Sequence, residues 1–256
     1  MLRASVALST LAYDVLWHHH QFGEKPNALH TLSPGATHEE RAVLEHQAWN
    51  ELAHHGLMHR GRVDEDLLDA LALLARPAEE VYGWINHATG EDVSVLAATL
   101  GSNAVLAILT DGILHLHPLC STAVVDAVVA VLPKIPPARG PSLTLPAEQL
   151  VGARAGPSGW CEDVRPASAE DHSRLHHVLG LPRTSGAQLH VALRDRHGRR
   201  HRAAHPLAVL DTTEGRWMSQ LRPATQGRPW VVLAPAESRL LSTRLHEMRT
   251  HLIQGR

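Results

Sequence analysis

Cysteine is nearly absent from this chain. Among 256 residues only Cys120 and Cys161 occur, and neither lies in a C-x-x-C pair. A secreted protein of this size held by disulfides carries more, so the pattern points to a reducing compartment. Aromatic residues are also scarce, with six Trp, two Tyr and one Phe. That leaves few of the stacking platforms on which single-stranded nucleic acid is bound. Neither sign of charge dominates: 24 Lys and Arg stand against 26 Asp and Glu, a formal net charge of −2. Such a balance argues against nucleic acid or an anionic membrane surface as the partner. No window approaches the roughly 20 apolar residues of a membrane span. The opening stretch Met1–Thr10 has a short apolar run, broken by Ser and Thr, that soon meets Asp14 and His18-His19-His20. It is therefore not read as a signal peptide, and the expected location is the cytosol. Walker loops, a G-x-G-x-x-G turn and a G-x-S-x-G elbow are all missing. The composition that remains, 44% hydrophobic and 20% charged, is that of an ordinary globular protein.

What is abundant is histidine, with 21 copies. Two imidazoles share a helix face at i and i+4, the spacing of His172 and His176, with Asp171 beside them. His115 and His117 share one face of a strand. His246 and His251 are five apart and do not form the H-E-x-x-H pattern of zinc proteases. With no third ligand placed by sequence, these are read as surface histidines, and neither metal nor cofactor is expected. A His-rich metal-dependent enzyme is the alternative. Cys161, in the loop Gly156–Cys161, lacks the flanking signature of a catalytic thiol. Arg194–Arg202 holds five arginines in nine residues; with no aromatic among them it reads as a solvated hairpin tip turning at Gly198.

Breakers organise the chain. The segment Pro133–Pro141 contains four prolines and divides two halves, 1–133 and 141–256, that follow one order. Each opens on a short strand running into a helix: Ser5–Ala12 in the first, Ser142–Leu150 in the second. Helices come next. Thr37-His-Glu-Glu40 forms a capping box and Gly56 stops its helix; Asp64 caps a second helix that ends before Pro77. The second half offers the run 170–179, ended by Gly180-Leu-Pro182. Each half then supplies four strands, near 80–87, 92–100, 103–109 and 113–117, and near 187–194, 200–211, 216–221 and 230–234. The turns fall at Thr89-Gly90, Gly101-Ser102, Asp111-Gly112, His197-Gly198, Glu214-Gly215 and Gln226-Gly227. Helices 122–132 and 237–252 close the halves. Short connections imply antiparallel neighbours. Val105–Leu109 is apolar on both faces and reads as a central strand, whereas 189–194 alternates and reads as half exposed. The expected fold is α+β: one domain over 1–256, with helices packed on one continuous antiparallel sheet built from an internal repeat.

Several segments, in order, resemble the EspG family of actinobacterial type VII (ESX) secretion. They are Ser5–Trp17, Pro141–Ala147 with its Thr144-Leu-Pro-Ala147, Leu210-Asp-Thr-Thr-Glu-Gly-Arg-Trp217, and Trp230–Ala236 with the closing helix. The resemblance implies a central antiparallel sheet flanked by two helical bundles, pseudo-twofold in agreement with the internal repeat. It also implies a cytosolic chaperone without enzymatic activity that binds the helical tip of a PE–PPE-like or WxG-type secretion substrate and keeps it soluble for export. A scaffold of the same fold is a further alternative, and oligomeric state is left open. In that family the partner surface uses the loop between strands two and three and the C-terminal helical bundle. Carried over, the loop is His87-Ala88-Thr89-Gly90-Glu91-Asp92, with His87, Thr89, Gly90, Glu91 and Asp92 as candidates. The bundle faces would offer Leu175 and Val178, and Leu241, Leu245 and Met248.

Overall fold

The computed structural model describes residues 2–90, 92–147, 169–222 and 229–255. Its first strand, β1 (Val6–Ser9), passes directly into α1 (Thr10–His19), whose start is capped by the Ser9 hydroxyl accepting from the Ala12 amide. At Thr37 the capping box forms as expected: Thr37 accepts from the Glu40 amide, and the Glu40 carboxylate reaches back to the Thr37 amide. It opens α2 (His38–His54), and Gly56, at φ +68°, turns the chain out of the helix. A small hairpin follows, β2 (Met58–His59) and β3 (Arg62–Val63), before Asp64 caps α3 (Glu65–Ala75) through the Leu67 amide. Four long strands come next: β4 (Glu79–His87), β5 (Asp92–Leu100), β6 (Asn103–Thr110) and β7 (Ile113–Cys120). Helix α4 (Val124–Val131) ends the first half.

The second half repeats much of this order with β8 (Leu143–Pro146), α5 (Ala169–Gly180), β9 (Arg183–Arg194), β10 (Arg200–Arg202), β11 (Leu207–Thr212), β12 (Gly215–Arg222), β13 (Trp230–Pro235) and α6 (Ser238–Gln254). All strands but the β2–β3 pair join one antiparallel sheet in the order β1-β7-β6-β5-β4-β9-β11-β12-β13-β8, with β10 attached to β9. From either edge the order is the same. A half's opening strand pairs with its last strand, and the meander then runs inward to the β4–β9 junction, where Tyr82 lies opposite His190.

Two faces of the sheet are covered, by different helices. Val105, Ala107, Leu96 and Tyr82 pack under α1, α2 and α3. The alternate residues Ala104, Leu106, Val95 and Val81, with Leu189 and Met218 from the second half, pack under α4 and α6. On the first of these faces, Trp217 and Leu233 of the second half lie against Leu175 and Val178 of α5. The apolar character of Val105–Leu109 on both sides is thereby explained.

Three expectations are corrected. Residues 189–193 are not half exposed: His190 and Ala192 are buried along with Leu189 and Val191, and only Arg194 is half-buried. The reason is position, because β9 joins the halves at the middle of the sheet, with Ala192 in the core under α1 to α3 and Leu189 and Val191 in the core under α4 and α6. The run 200–211 is two strands, broken at Ala203–Pro206, where Pro206 has no amide to donate to the ladder. Helices α5 and α6 lie on opposite faces of the sheet and do not form one bundle. The turn expected at Gln226-Gly227 and the loop containing Cys161 lie outside the described residues. Among the described residues no helix is long and apolar enough to cross a membrane.

Candidate partner-binding surface

The β4–β5 connection is tight. Gly90, at φ +89°, donates its amide to the His87 carbonyl at 2.9 Å, and the Asn86 side chain donates to Asp92 at 2.8 Å. The Ala88 amide donates to the Thr184 carbonyl at 3.0 Å, and His87 pairs with Ser185. The turn is thus anchored to the start of β9, directly beyond the C-terminal end of α5. Thr89, Gly90 and Asp92 are exposed and His87 is half-buried; Glu91 lies outside the described residues.

The same end of the sheet carries the segment from α5 into β9. Leu179, at the end of α5, is 38% exposed. Next to it His177 lies 3.2 Å from Glu214, on the β11–β12 turn, and the Thr213 amide reaches the Pro182 carbonyl at 3.3 Å. Loop 87–92, the α5–β9 junction and the β11–β12 turn therefore make one continuous surface. It is mixed in charge, carrying Arg183, His87 and His177 together with Asp92 and Glu214. Leu179, Arg183 and Glu214 were not among the sequence candidates. The available signal was the stop Gly180-Leu-Pro182, which forces the chain off the helix at a leucine.

The five apolar candidates are placed differently from the loop. Leu175 and Val178 are buried against Leu143, Leu145, Trp217 and Leu233. Leu241, Leu245 and Met248 are buried against the opposite face of the sheet, where α6 packs beside α4. Their helical spacing marks the inner faces of α5 and α6, so these side chains hold the helices to the sheet and do not face a partner. The loop and the end of α5 lie at one end of the sheet, and α6 lies across it.

Behind this surface the Asp211–Trp217 hairpin grips the inter-half linker. Arg216, 1% exposed, donates from Nε and Nη2 to both oxygens of Asp211 (2.6 and 2.8 Å) and from Nη2 to the Pro133 carbonyl (2.8 Å). Its backbone bonds both sides of Pro137, accepting from the Ala138 amide and donating to the Pro136 carbonyl. Asp211 also accepts from the Ser185 hydroxyl, which ties the grip to β9. Gly215 is required here, since a Cβ would lie 2.8 Å from the backbone of Ala138, and its φ is +115°.

The histidines are dispersed. His115 and His117 stack on β7 with ring centroids 6.4 Å apart, and His117 is hydrogen-bonded to Ser5. His172 and His176 lie on α5. Among the described residues, no group of three or more His, Cys, Asp or Glu is placed to hold a metal ion.

Comparison with known proteins now bears on this geometry. Residues 9–247 match the model of the EspG family. The fold is similar to that of the Mycobacterium tuberculosis type VII secretion system chaperone EspG5, solved in complex with a PE25–PPE41 dimer. That likeness has a TM-score of 0.69 at 16% identity and covers 97% of this chain and 96% of the other. No curated protein matches the sequence.

Proposed function

The chain belongs to the EspG family, and from that membership we propose that it is a cytosolic chaperone of a type VII secretion system that binds a PE–PPE-like substrate. The observation that carries this reading is the family match over residues 9–247, on a fold aligned along nearly the full length of a chaperone solved with such a dimer. The work assigned to the protein is binding and shielding, with no catalytic step. A helical substrate that exposes apolar side chains before export is prone to associate, and covering a few of those anchors keeps it soluble. Delivery also requires release, so the affinity expected is moderate.

The docking surface of this reading is the sheet end built from loop 87–92, Leu179 and the Arg183–Thr184 segment. It offers an exposed leucine and exposed backbone at a turn, framed by charges of both signs. Co-expression with PE–PPE pairs encoded near a type VII system, followed by size-exclusion chromatography, tests the proposal. Co-elution with one pair is expected. Failure to co-elute with any pair, while the chain itself remains folded, contradicts it; co-elution with a WxG-type hairpin alone would replace the substrate class.

A further inference from the structure

The arginine-rich run 194–202 is only partly the solvated tip that its composition suggests. Arg196, Arg199, Arg200 and Arg202 are exposed and Arg194 is half-buried, but Arg194 and Arg200 line a cleft of about 290 Å³ at the opposite end of the sheet from the docking surface. Leu74, Ala75 and Leu96 form its apolar wall, and Tyr82 is at its floor. The register of β9 with β10 sets Arg200 directly opposite Arg194. Like charges placed so destabilise a strand pair unless something neutralises them. Glu80, 6% exposed, pairs with Arg200 through Nε, and Arg200 lies over the Tyr82 ring at 5.2 Å. Lys25, also at the cleft, is already held by Asp14 and Thr31.

Among the described residues, Arg194 is left as the cleft's cation that no carboxylate touches, with Glu24 at the rim. Arg194 makes no ion pair among the described residues; its Nη1 donates to the Gly198 carbonyl, while its buried Nε has no partner. The Tyr82 hydroxyl, on a side chain 2% exposed, lies beside the Arg200 guanidinium but makes no well-formed hydrogen bond. Both are buried polar atoms of the kind that folded proteins normally satisfy. Each can supply a hydrogen to an acceptor, and both side chains line the same cleft.

We propose that this cleft is a binding site for a small carboxylate with an apolar body, its oxygens held by Arg194 and Tyr82 and its body against Leu74 and Leu96. An arginine matches a carboxylate in charge and in the spacing of its donors. The volume is at the low end for small-molecule sites, which sets the ligand at the size of a short-chain or single-ring acid. Because Arg194 and Arg200 come from the second half and the wall from the first, an occupied site would also tie the halves together. The site stands apart from the docking surface and does not depend on the chaperone reading.

Benzoate, with its neutral methyl ester as control, is the probe for isothermal titration calorimetry on the full chain. Saturable one-to-one binding of benzoate and none of the ester is expected. Tyr82→Phe and Arg194→Met should each weaken it about tenfold or more, as loss of a charge-assisted hydrogen bond does. Glu24→Gln, removing the exposed carboxylate at the rim, should tighten it, and Arg196→Met at the tip should leave it unchanged. Melting curves establish that each variant is folded, and Tyr82→Phe keeps the ring should Arg194→Met fail to fold. Equal binding of acid and ester, no saturable binding, or an equal loss with Arg196→Met overturns the proposal. So does a crystal grown with benzoate in which only ordered water bridges Tyr82 and Arg194.

Discussion

Asp14 is fully buried on α1 and accepts hydrogen bonds from Lys25 (2.5 Å), Ser33 (2.6 Å) and Arg41 (2.6 Å). It therefore ties the 20–37 loop and α2 to α1. Burial pushes its carboxyl up, but these three donors outweigh burial and hold it below the ordinary carboxylate range. A carboxylate depressed in the folded state stabilises it above the unfolded pKa, near 4, and that contribution is lost as pH falls through the folded value. Urea unfolding of Asp14→Asn at pH 7 should show a loss of about 3 kcal/mol, the usual cost of breaking a buried pair. Below pH about 4 the gap between variant and parent should narrow. A second pair of substitutions separates surface from core. Leu179→Asp should leave stability within about 0.5 kcal/mol and abolish substrate binding, whereas Leu245→Ala should cost about 2–5 kcal/mol. At this scale the caps at Thr37 and Asp64 were legible, because a cap is settled by residues three apart. That Leu245 faces the sheet and Leu179 faces water was not, because the same stripe of leucines fits either role until the partner face is known.

The Asp211–Trp217 hairpin is the element on which the linker depends. Its sequence was recognisable only as part of a family resemblance; the physical reason lies in Pro133–Ala138, some eighty residues earlier in the chain, which no local pattern connects to it. Gly215→Ala would force a side chain into the Ala138 backbone at a positive φ. A loss of about 2 kcal/mol or more is expected in thermal or denaturant unfolding, in line with strained backbone positions of this kind. Strands β4 to β7 were read to within a residue or so, except that β7 runs on to Cys120, since tight glycine turns bound them. Strand β9 was misjudged. Its alternation of Leu189, Val191 and Leu193 with His190 and Ala192 is the pattern of a half-exposed strand, yet His190 is stacked on Tyr82, with ring centroids 5.0 Å apart. Burial and the neighbouring Arg202 and Arg200 hold this imidazole below its ordinary pKa. A polar residue between aromatic rings imitates a solvated one in sequence.

Over the whole molecule, the two halves meet along β4 and β9, and their closeness is set by Gly83. A Cβ there would come within 2.2 Å of the Gln188 carbonyl oxygen. Gly83→Ala should push the joint strands apart, lowering the melting temperature more than Gly215→Ala does. The proposal that the halves descend from one repeat rests on the strand order, which is the same from either edge. Sequence alone indicated one sheet with helices packed on it, because short turns leave antiparallel neighbours as the simple solution. It did not indicate which face each helix covers, since chain order carries no information about faces; it was the family resemblance that set α5 and α6 together. The placement gathers loop 87–92 and Leu179 at one end of the sheet and leaves α6 across it. The central claim is that this end carries a PE–PPE-like substrate. Its most direct test is size-exclusion chromatography of the parent chain and of Leu179→Asp, each co-expressed with a candidate PE–PPE pair. Co-elution with the parent and its loss in a folded Leu179→Asp variant is the predicted result; unchanged co-elution of that variant, or none with the parent for any pair, would contradict the account.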